Sequence, residues 1–233
     1  MLRHPQIVGH RGAPRERLEN TLPSFERALA LGADALELDV HATRDGVVVV
    51  HHDPALPLDP ASADSPPGAA LASLSWSELR AREIGPGLGV PTLDEVLALA
   101  AGRATVYVEI KAPGIEALVV SAIARSAADC AVHAFDHRVC GRVRALAPGL
   151  PTGILVVGRL VEPASALRAA GARDYWQHHD EIDADLVARI HAAGGRVVAW
   201  TVNDVDEGAA LSEMDVDAVC TDVPGAMRSA LAD

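Results

Sequence analysis

The chain has 233 residues, of which 49% are hydrophobic and 22% are charged, and its formal net charge is -12 at pH 7. This length and composition fit one soluble globular domain over residues 1–233. The acidic balance argues against nucleic acid or an anionic membrane as a partner, because phosphate groups are bound by an excess of Lys and Arg.

The first residues, MLRHPQIVGH, lack the apolar stretch of about 7 to 15 residues that a signal peptide requires. No uninterrupted apolar run approaches the roughly 20 residues of a membrane span. We therefore expect a cytoplasmic protein without stable membrane insertion. The sequence carries no signal for an oligomeric state.

Short runs rich in Val, Ile and Leu alternate with amphipathic helical patterns along almost the whole chain. These runs predict strands over residues 7–10, 35–39, 105–111, 131–135, 152–157, 174–177, 196–202 and 217–221. Eight strands, each followed by a helix or loop, favour an α/β fold of the (β/α)8 TIM-barrel class. A doubly wound open sheet is the alternative.

The segment after the second strand, ELDVHATRDGVVVVHHD, is too short to hold a crossover helix. Its dipeptide Asp45-Gly46 is typical of a two-residue type I′ turn, so we predict a β-hairpin here. With the turn at these two residues, His52 lies opposite Asp39 and His51 lies on the other face. This register favours His52 as the site histidine.

Residues 54–91 interrupt the alternation with a stretch rich in Pro, Ala and Ser. They contain a helical turn in which Ser75 and Glu78 could form a capping box before Leu79. We predict a short loop excursion over the mouth of the barrel. A structureless insertion without a function is the alternative.

Carboxylates stand on two neighbouring strands near their carboxyl ends, where barrel enzymes build their sites. Glu37 and Asp39 are two residues apart and therefore share one face, and Glu109 lies on the next strand. Three carboxylates in one mouth repel one another unless a cation lies between them. Oxygen-only ligands select Mg²⁺ or Ca²⁺. Taken singly, each carboxylate could instead cap a loop or pair with an arginine.

Two histidines, His10 and His52, are expected beside these carboxylates. Imidazole exchanges protons near neutral pH, so the pair could serve as general base and general acid. A lone histidine is more often structural, but two beside a carboxylate cluster favour a catalytic role.

Lys111 is the only lysine, whereas the other nineteen cationic side chains are arginine. A compact ammonium suits a phosphoryl oxygen beside a metal ion, where a broad guanidinium would crowd the ion. A lysine that forms a Schiff base is the alternative.

The sequence resembles the glycerophosphodiester phosphodiesterase family over nearly its whole length, with residues 55–90 and about 155–180 only weakly matched. The resemblance runs, in order, through HRG, ENTLPSFERALALGADALELDV, TRDGVVVVHHDP, PTLDEVLAL, VEIK, AFDHRVCGRVRALAP, LVARIHAAGGRVVAWTVND and VDAVCTDVP. Each string alone is weak evidence, but together in this order they are highly specific.

The resemblance implies a metal-dependent (β/α)8 barrel that cleaves small-molecule glycerophosphodiesters to sn-glycerol 3-phosphate and an alcohol. By residue, it implies Glu37, Asp39 and Glu109 as ligands of a divalent ion, His10 and His52 as the acid–base pair, Arg11 and Lys111 as phosphate contacts, and Trp200 and Phe135 as apolar walls near the glycerol. Glu19 is expected to orient the site rather than to bind the ion.

The chain departs from the family pattern at three places. Leu18 stands where the family usually has proline, His133 stands where it commonly has serine, and the segment after Asp53 lacks the usual Arg-Thr-Thr. Two other functions remain open at this stage. One is a lysophospholipase D-like activity on lipid diesters, and the other is a barrel that binds ligands without catalysis, although the six central residues of the site are all present.

Overall fold

The computed structural model describes residues 4–59 and 65–231 of the chain. Its strands are β1 Gln6–His10, β2 Ala35–Ala42, β3 Val48–Val50, β4 Ala55–Pro57, β5 Pro67–Ala70, β6 Thr105–Ile110, β7 Cys130–Ala134, β8 Thr152–Val156, β9 Asp174–His178, β10 Arg196–Trp200 and β11 Ala218–Thr221. Its helices are α1 Leu22–Ala30, α2 Trp76–Leu79, α3 Leu93–Ala100, α4 Glu116–Arg125, α5 Arg138–Leu146, α6 Pro163–Ala170, α7 Ala184–Ala192, α8 Val205–Glu213 and α9 Pro224–Ala230.

Within the described residues, eight parallel strands close into a barrel. β2 pairs with β6, each strand from β6 to β10 pairs with the next, β11 pairs with β1, and β1 pairs with β2. This closure confirms the predicted (β/α)8 barrel and excludes the open sheet. Barrel strands are buried on both faces, which explains their continuous Val, Ile and Leu runs.

The barrel interior is closed below the mouth by large side chains. The rings of Tyr107 and Trp176 are buried and meet edge to face, with centroids 5.1 Å apart. Smaller residues, including Val8 and Val198, fill the same layer. The polar side chains above this layer therefore stand on a packed floor.

The hairpin between β2 and β3 closes over three residues, so the predicted two-residue turn is wrong. The Thr43 amide donates to the carbonyl of Val47 at 2.9 Å, and Gly46 has a φ of 83°. The Asp45 carboxylate accepts hydrogen bonds from the Thr43 hydroxyl at 2.7 Å and from the Trp76 amide at 2.9 Å. A three-residue loop with glycine in the left-handed region is the next most common hairpin connection. Here it is held by its bonds to the following segment.

The longer loop shifts the predicted hairpin register by one residue. Val40 pairs with Val50, and the His51 amide donates to the carbonyl of Asp39 at 3.0 Å. His51, and not His52, therefore lies opposite Asp39. Because β3 ends at Val50, strand alternation no longer determines where the His52 side chain points.

The excursion lies outside the barrel strands, as expected, but in its described part it is more ordered than the sequence indicates. It contains β4, β5, a 3₁₀ turn over Leu71–Ser73 and α2, which begins with the predicted capping box of Ser75 and Glu78. Its buried apolar side chains form a small core of their own: Val49, Leu56, Leu71, Leu74, Leu79, Ile84 and Val90. Residues 60–64 of the excursion lie outside the described residues.

The helices begin where local capping groups satisfy free amides. Asp183 is the N-cap of α7 and accepts a hydrogen bond from the Leu186 amide at 2.8 Å. Thr21 is the N-cap of α1 and accepts a hydrogen bond from the Ser24 amide. No helix within the described residues is both long and apolar enough to span a membrane.

Gly12 is the second residue after β1, and a side chain at this position should destabilise the fold. Its φ is 93°, and a Cβ atom would lie 2.4 Å from Ser24 Oγ and 2.6 Å from the Ser24 carbonyl carbon. We expect Gly12→Ala to lower the free energy of unfolding by roughly 3 kcal/mol, from strained backbone and overpacking together. Urea denaturation measures this loss.

Gly102→Ala is the matched control for Gly12→Ala. Gly102 also has a positive φ, 70°, but no atom lies within 4 Å of its added Cβ. It should therefore lose only about 1 kcal/mol, from backbone strain alone. Equal losses in the two variants would contradict a tight contact between the loop after β1 and α1.

Candidate active site

The three predicted carboxylates come together at the carboxyl ends of neighbouring strands. Asp39 on β2 and Glu109 on β6 are partners in register, and Glu37 lies one pleat deeper on β2. All three are buried, with exposures of 3%, 1% and 7% for Glu37, Asp39 and Glu109. Glu37 and Glu109 border a pocket of about 190 Å³, and Asp39 is not among its lining residues. The pocket is lined by His10, Arg11, Glu37, His52, Glu109, Lys111, His133, Phe135, Leu155, Trp176, Trp200, Thr201 and Cys220.

Asp39 has partners on both carboxylate oxygens. Asn20 Nδ2 donates to Oδ2 at 2.9 Å, Arg11 Nε lies 3.1 Å from the same oxygen, and Lys111 Nζ lies 3.4 Å from Oδ1. Burial by itself would raise the pKa of Asp39, but the charges of Arg11 and Lys111 lower it. Asp39 is therefore ionised, and each of its carboxylate oxygens already has a protein partner.

Glu109 has an ion pair with the single lysine of the chain. Lys111 Nζ lies 2.9 Å from its Oε1. Even so, burial together with the charge of Asp39 raises the pKa of Glu109 to about 7. A positive charge bound beside Glu109 would favour its ionised form.

Glu37 faces two imidazoles. Its Oε2 accepts a hydrogen bond from the Arg11 amide at 3.2 Å and lies 4.0 Å from His10 Nε2, while its Oε1 lies 3.6 Å from His133 Nε2. Ligand atoms of Glu37, Glu109 and His133 all lie within 4.8 Å of one another. This group could hold one metal ion.

His10 is held by a chain of hydrogen bonds at the end of β1. Its Nδ1 lies 2.7 Å from Asp222 Oδ1, and Asp222 in turn accepts from Asn203 Nδ2 at 2.8 Å. Burial would lower the pKa of His10, but the bond to Asp222 and the charge of Glu37 raise it. The ring orientation leaves Nε2 facing the pocket.

His52 also pairs through Nδ1, with Asp53 Oδ1 at 2.8 Å. Its carbonyl bonds to the buried ring of His41, whose Nε2 lies 3.1 Å away. His52 lines the pocket, whereas His51 bonds to the carbonyl of Asp53 and lines an adjacent groove. The structure thus brings His52 to the pocket, although by a loop rather than by the predicted register.

Arg11, Glu19 and the aromatic residues complete the rim. Arg11 Nη1 donates to Glu19 Oε1 at 2.9 Å, so Glu19 contacts Arg11 and not the carboxylate cluster. Phe135, 46% exposed, meets Trp200 edge to face with centroids 5.5 Å apart. Lys111 Nζ lies 5.8 Å from the Phe135 ring centre.

The sequence analysis assigns no role to four residues that the structure places in or behind the site: Asn20, His133, Asn203 and Asp222. Asp222 and Asn203 follow barrel strands, which is a signal for a site residue, but their partners depend on the closure of the barrel. Asn20 has a φ of 55°, and this conformation directs the Asn-Thr turn towards Asp39. His133 is buried beneath the cluster and stacks on Trp176, with ring centroids 4.3 Å apart.

Comparison with known proteins agrees with this geometry. Residues 10–226 match the model of the "Glycerophosphoryl diester phosphodiesterase family". A glycerophosphodiester phosphodiesterase of Caldanaerobacter subterraneus is 29% identical over 94% of this chain and 94% of its own length, and one of Arabidopsis thaliana is 30% identical over 100% of this chain and 75% of its own.

A solved structure shares the fold over nearly the whole of both chains. It is an Oleispira antarctica phosphodiesterase in complex with the product sn-glycerol-3-phosphate. It is 25% identical, with a TM-score of 0.87, and covers 99% of this chain and 98% of its own. The family match, the curated relatives and this fold agree, and the chain belongs to the glycerophosphoryl diester phosphodiesterase family.

Proposed function

We propose that this phosphoric diester hydrolase cleaves glycerophosphodiesters to sn-glycerol 3-phosphate and an alcohol, with two histidines as acid and base and with a divalent cation. The observation that carries the proposal is one pocket in which His10, His52, Arg11 and Lys111 surround buried carboxylates. The product named for the Oleispira antarctica structure, sn-glycerol-3-phosphate, supports the same reaction.

The residues of the pocket fit a divalent cation. Glu37 and Glu109 offer oxygens within 4.8 Å of each other, and burial, followed by the charge of Asp39, raises the pKa of Glu109. We expect these two carboxylates to hold the ion, with Asp39 as the third ligand that the sequence predicts. An all-carboxylate set favours Mg²⁺ or Ca²⁺. When bound, the cation supplies charge neutralisation for the phosphodiester oxygens.

His10 and His52 are suited to proton transfer because each uses Nδ1 to bind a carboxylate. The partners are Asp222 and Asp53, at 2.7 and 2.8 Å. Each carboxylate fixes the tautomer, so that Nε2 is the atom available to the substrate. One histidine takes the proton from the attacking oxygen, which is water or the substrate's own glycerol hydroxyl. The other protonates the departing alkoxide.

Arg11 and Lys111 are placed to bind the non-bridging oxygens of the phosphodiester. Both already contact buried carboxylates, which orients their donors towards the pocket before substrate arrives. Trp200 and Phe135 provide an apolar wall beside them for the carbon atoms of the glycerol.

The Schiff-base alternative for Lys111 is disfavoured by its surroundings. A Schiff base requires a neutral amine, but Nζ lies within 3.4 Å of both Glu109 and Asp39. Burial would lower the pKa of Lys111, but these two carboxylates raise it, so the amine stays protonated.

The first prediction about function concerns the reaction and its cation. EDTA-stripped protein should release no glycerol 3-phosphate from glycerophosphocholine or glycerophosphoethanolamine, and added divalent cation should restore release, because the buried carboxylates require a counter-charge. A coupled glycerol 3-phosphate assay measures this. Full activity after EDTA, or borohydride trapping of substrate on Lys111, would contradict the proposal.

The second prediction separates the adjacent histidines. His52→Ala should lower kcat by about 10²- to 10⁴-fold, the usual contribution of a general acid or base. His51→Ala is the matched control and should keep most of the activity, because His51 lines the adjacent groove. Steady-state kinetics measures both variants. Equal losses of kcat in His52→Ala and His51→Ala would contradict the placement of His52, and not His51, in the pocket.

The third prediction concerns the shape of the cation at residue 111. Lys111→Arg keeps the charge but replaces a compact ammonium, 2.9 Å from Glu109 and beneath the Phe135 ring, with a broad planar group. We expect kcat/KM to fall by about 10²-fold through misplacement of the phosphate. An Arg variant with wild-type kinetics would remove this explanation of the single lysine.

A further inference from the structure

His133 lies among the groups of the pocket but has no part in the acid–base chemistry proposed above. It stands on β7 beside Glu109, its partner in register on β6. Its side chain is 1% exposed, and its Nε2 lies 3.6 Å from Glu37 Oε1. This imidazole therefore faces the two carboxylates that remain available for a cation.

His133 has no hydrogen-bond partner among the described residues for its buried Nδ1. The stacking on Trp176 fixes the plane of the ring, since the two rings are only 15° from parallel, but it satisfies neither nitrogen. Buried polar side chains are normally hydrogen-bonded or bound to an ion. Of the two nitrogens, Nε2 faces Glu37 and is the one that a cation beside this carboxylate would bind.

Asp39 is less available for a cation than its position in the sequence indicates. Arg11 and Asn20 contact Oδ2, and Lys111 contacts Oδ1. Glu109 has one contact to Lys111, through Oε1. Glu37, Glu109 and His133 converge on one point, and each keeps at least one ligand atom that can face a cation.

We propose that His133 is a nitrogen ligand of the cation and that it shifts the preference of the site from Mg²⁺ or Ca²⁺ towards a divalent first-row transition ion. Carboxylates alone suit hard ions, whereas imidazole raises the affinity for transition ions more than for Mg²⁺. The inference rests on the cation of the proposed function and concerns only which ion is bound and by which atoms.

Isothermal titration of EDTA-stripped protein with Mn²⁺ and with Mg²⁺, in the absence of substrate, tests this selectivity. Wild-type protein should bind Mn²⁺ about 10²-fold more tightly than Mg²⁺. His133→Phe keeps an aromatic ring for stacking on Trp176 but removes the nitrogen. It should weaken Mn²⁺ binding by at least about 10-fold and change Mg²⁺ binding by less than about 3-fold. His133→Ser should show the same selectivity change.

Pulsed electron paramagnetic resonance of the Mn²⁺-loaded protein identifies the ligand atom directly. Imidazole nitrogen coupling should be present in wild type and lost in His133→Phe. His191→Asn is the matched control, because His191 pairs with Asp217 at the opposite end of the barrel, and it should keep both the coupling and the affinities.

Two results would overturn the inference. One is nitrogen coupling that persists in His133→Phe, which would point to another histidine. The other is an unchanged ratio of Mn²⁺ to Mg²⁺ affinity with a lower Tm, which would make His133 a packing residue paired with Glu37. Nitrogen coupling without release of glycerol 3-phosphate would uphold this inference while contradicting the proposed function.

Discussion

The structure of the mouth depends on the burial of three carboxylates side by side. Removing a charged carboxylate from water is costly unless it is paired and hydrogen-bonded. Glu37, Asp39 and Glu109 are each less than 10% exposed, so every neighbour is constrained by their charge. Arg11 and Lys111 supply two positive charges beside them, and burial with the charge of Asp39 still raises the pKa of Glu109 to about 7.

The barrel supplies the spacing that this cluster needs. Paired residues on adjacent strands stand about 4.8 Å apart, and Asp39, Glu109 and His133 are successive partners across β2, β6 and β7. The floor of Tyr107 and Trp176 blocks water from below. Gly12 lets the loop after β1 approach α1 closely, and so brings the Arg11 amide to Glu37.

Much of the fold was predictable because the hydrophobic periodicity and the turn and capping residues agree along the chain. The eight barrel strands and the Ser75 capping box follow from local patterns, and the closed barrel follows from the order of the strands. The grouping of Glu37, Asp39 and Glu109 was equally accessible, because strand periodicity and the common edge of parallel strands determine it. Such features follow from local periodicity and from the order of the strands along the chain.

The features that the sequence did not reveal depend on contacts between distant segments. The register of the hairpin differs by one residue from the predicted register. The three-residue loop is held by the bond from the Trp76 amide to Asp45, and Trp76 lies 31 positions later in the chain. Asp222 reaches His10 only because β11 closes against β1. Asn20 and His133 are defined by what they face, namely Asp39 and Glu37, and no local pattern contains that information.

The two histidines differ in how firmly the protein holds them, and this difference links the excursion to the chemistry. The partner of His10 is anchored by Asn203 within the barrel. The partner of His52 is Asp53, whose side chain is 69% exposed at the start of the excursion. The position of His52 therefore depends on β3 and on the small core that packs against Val49. That core lies outside the barrel, yet it includes Val49 of β3, the strand that leads to His52, one of the two residues proposed for proton transfer.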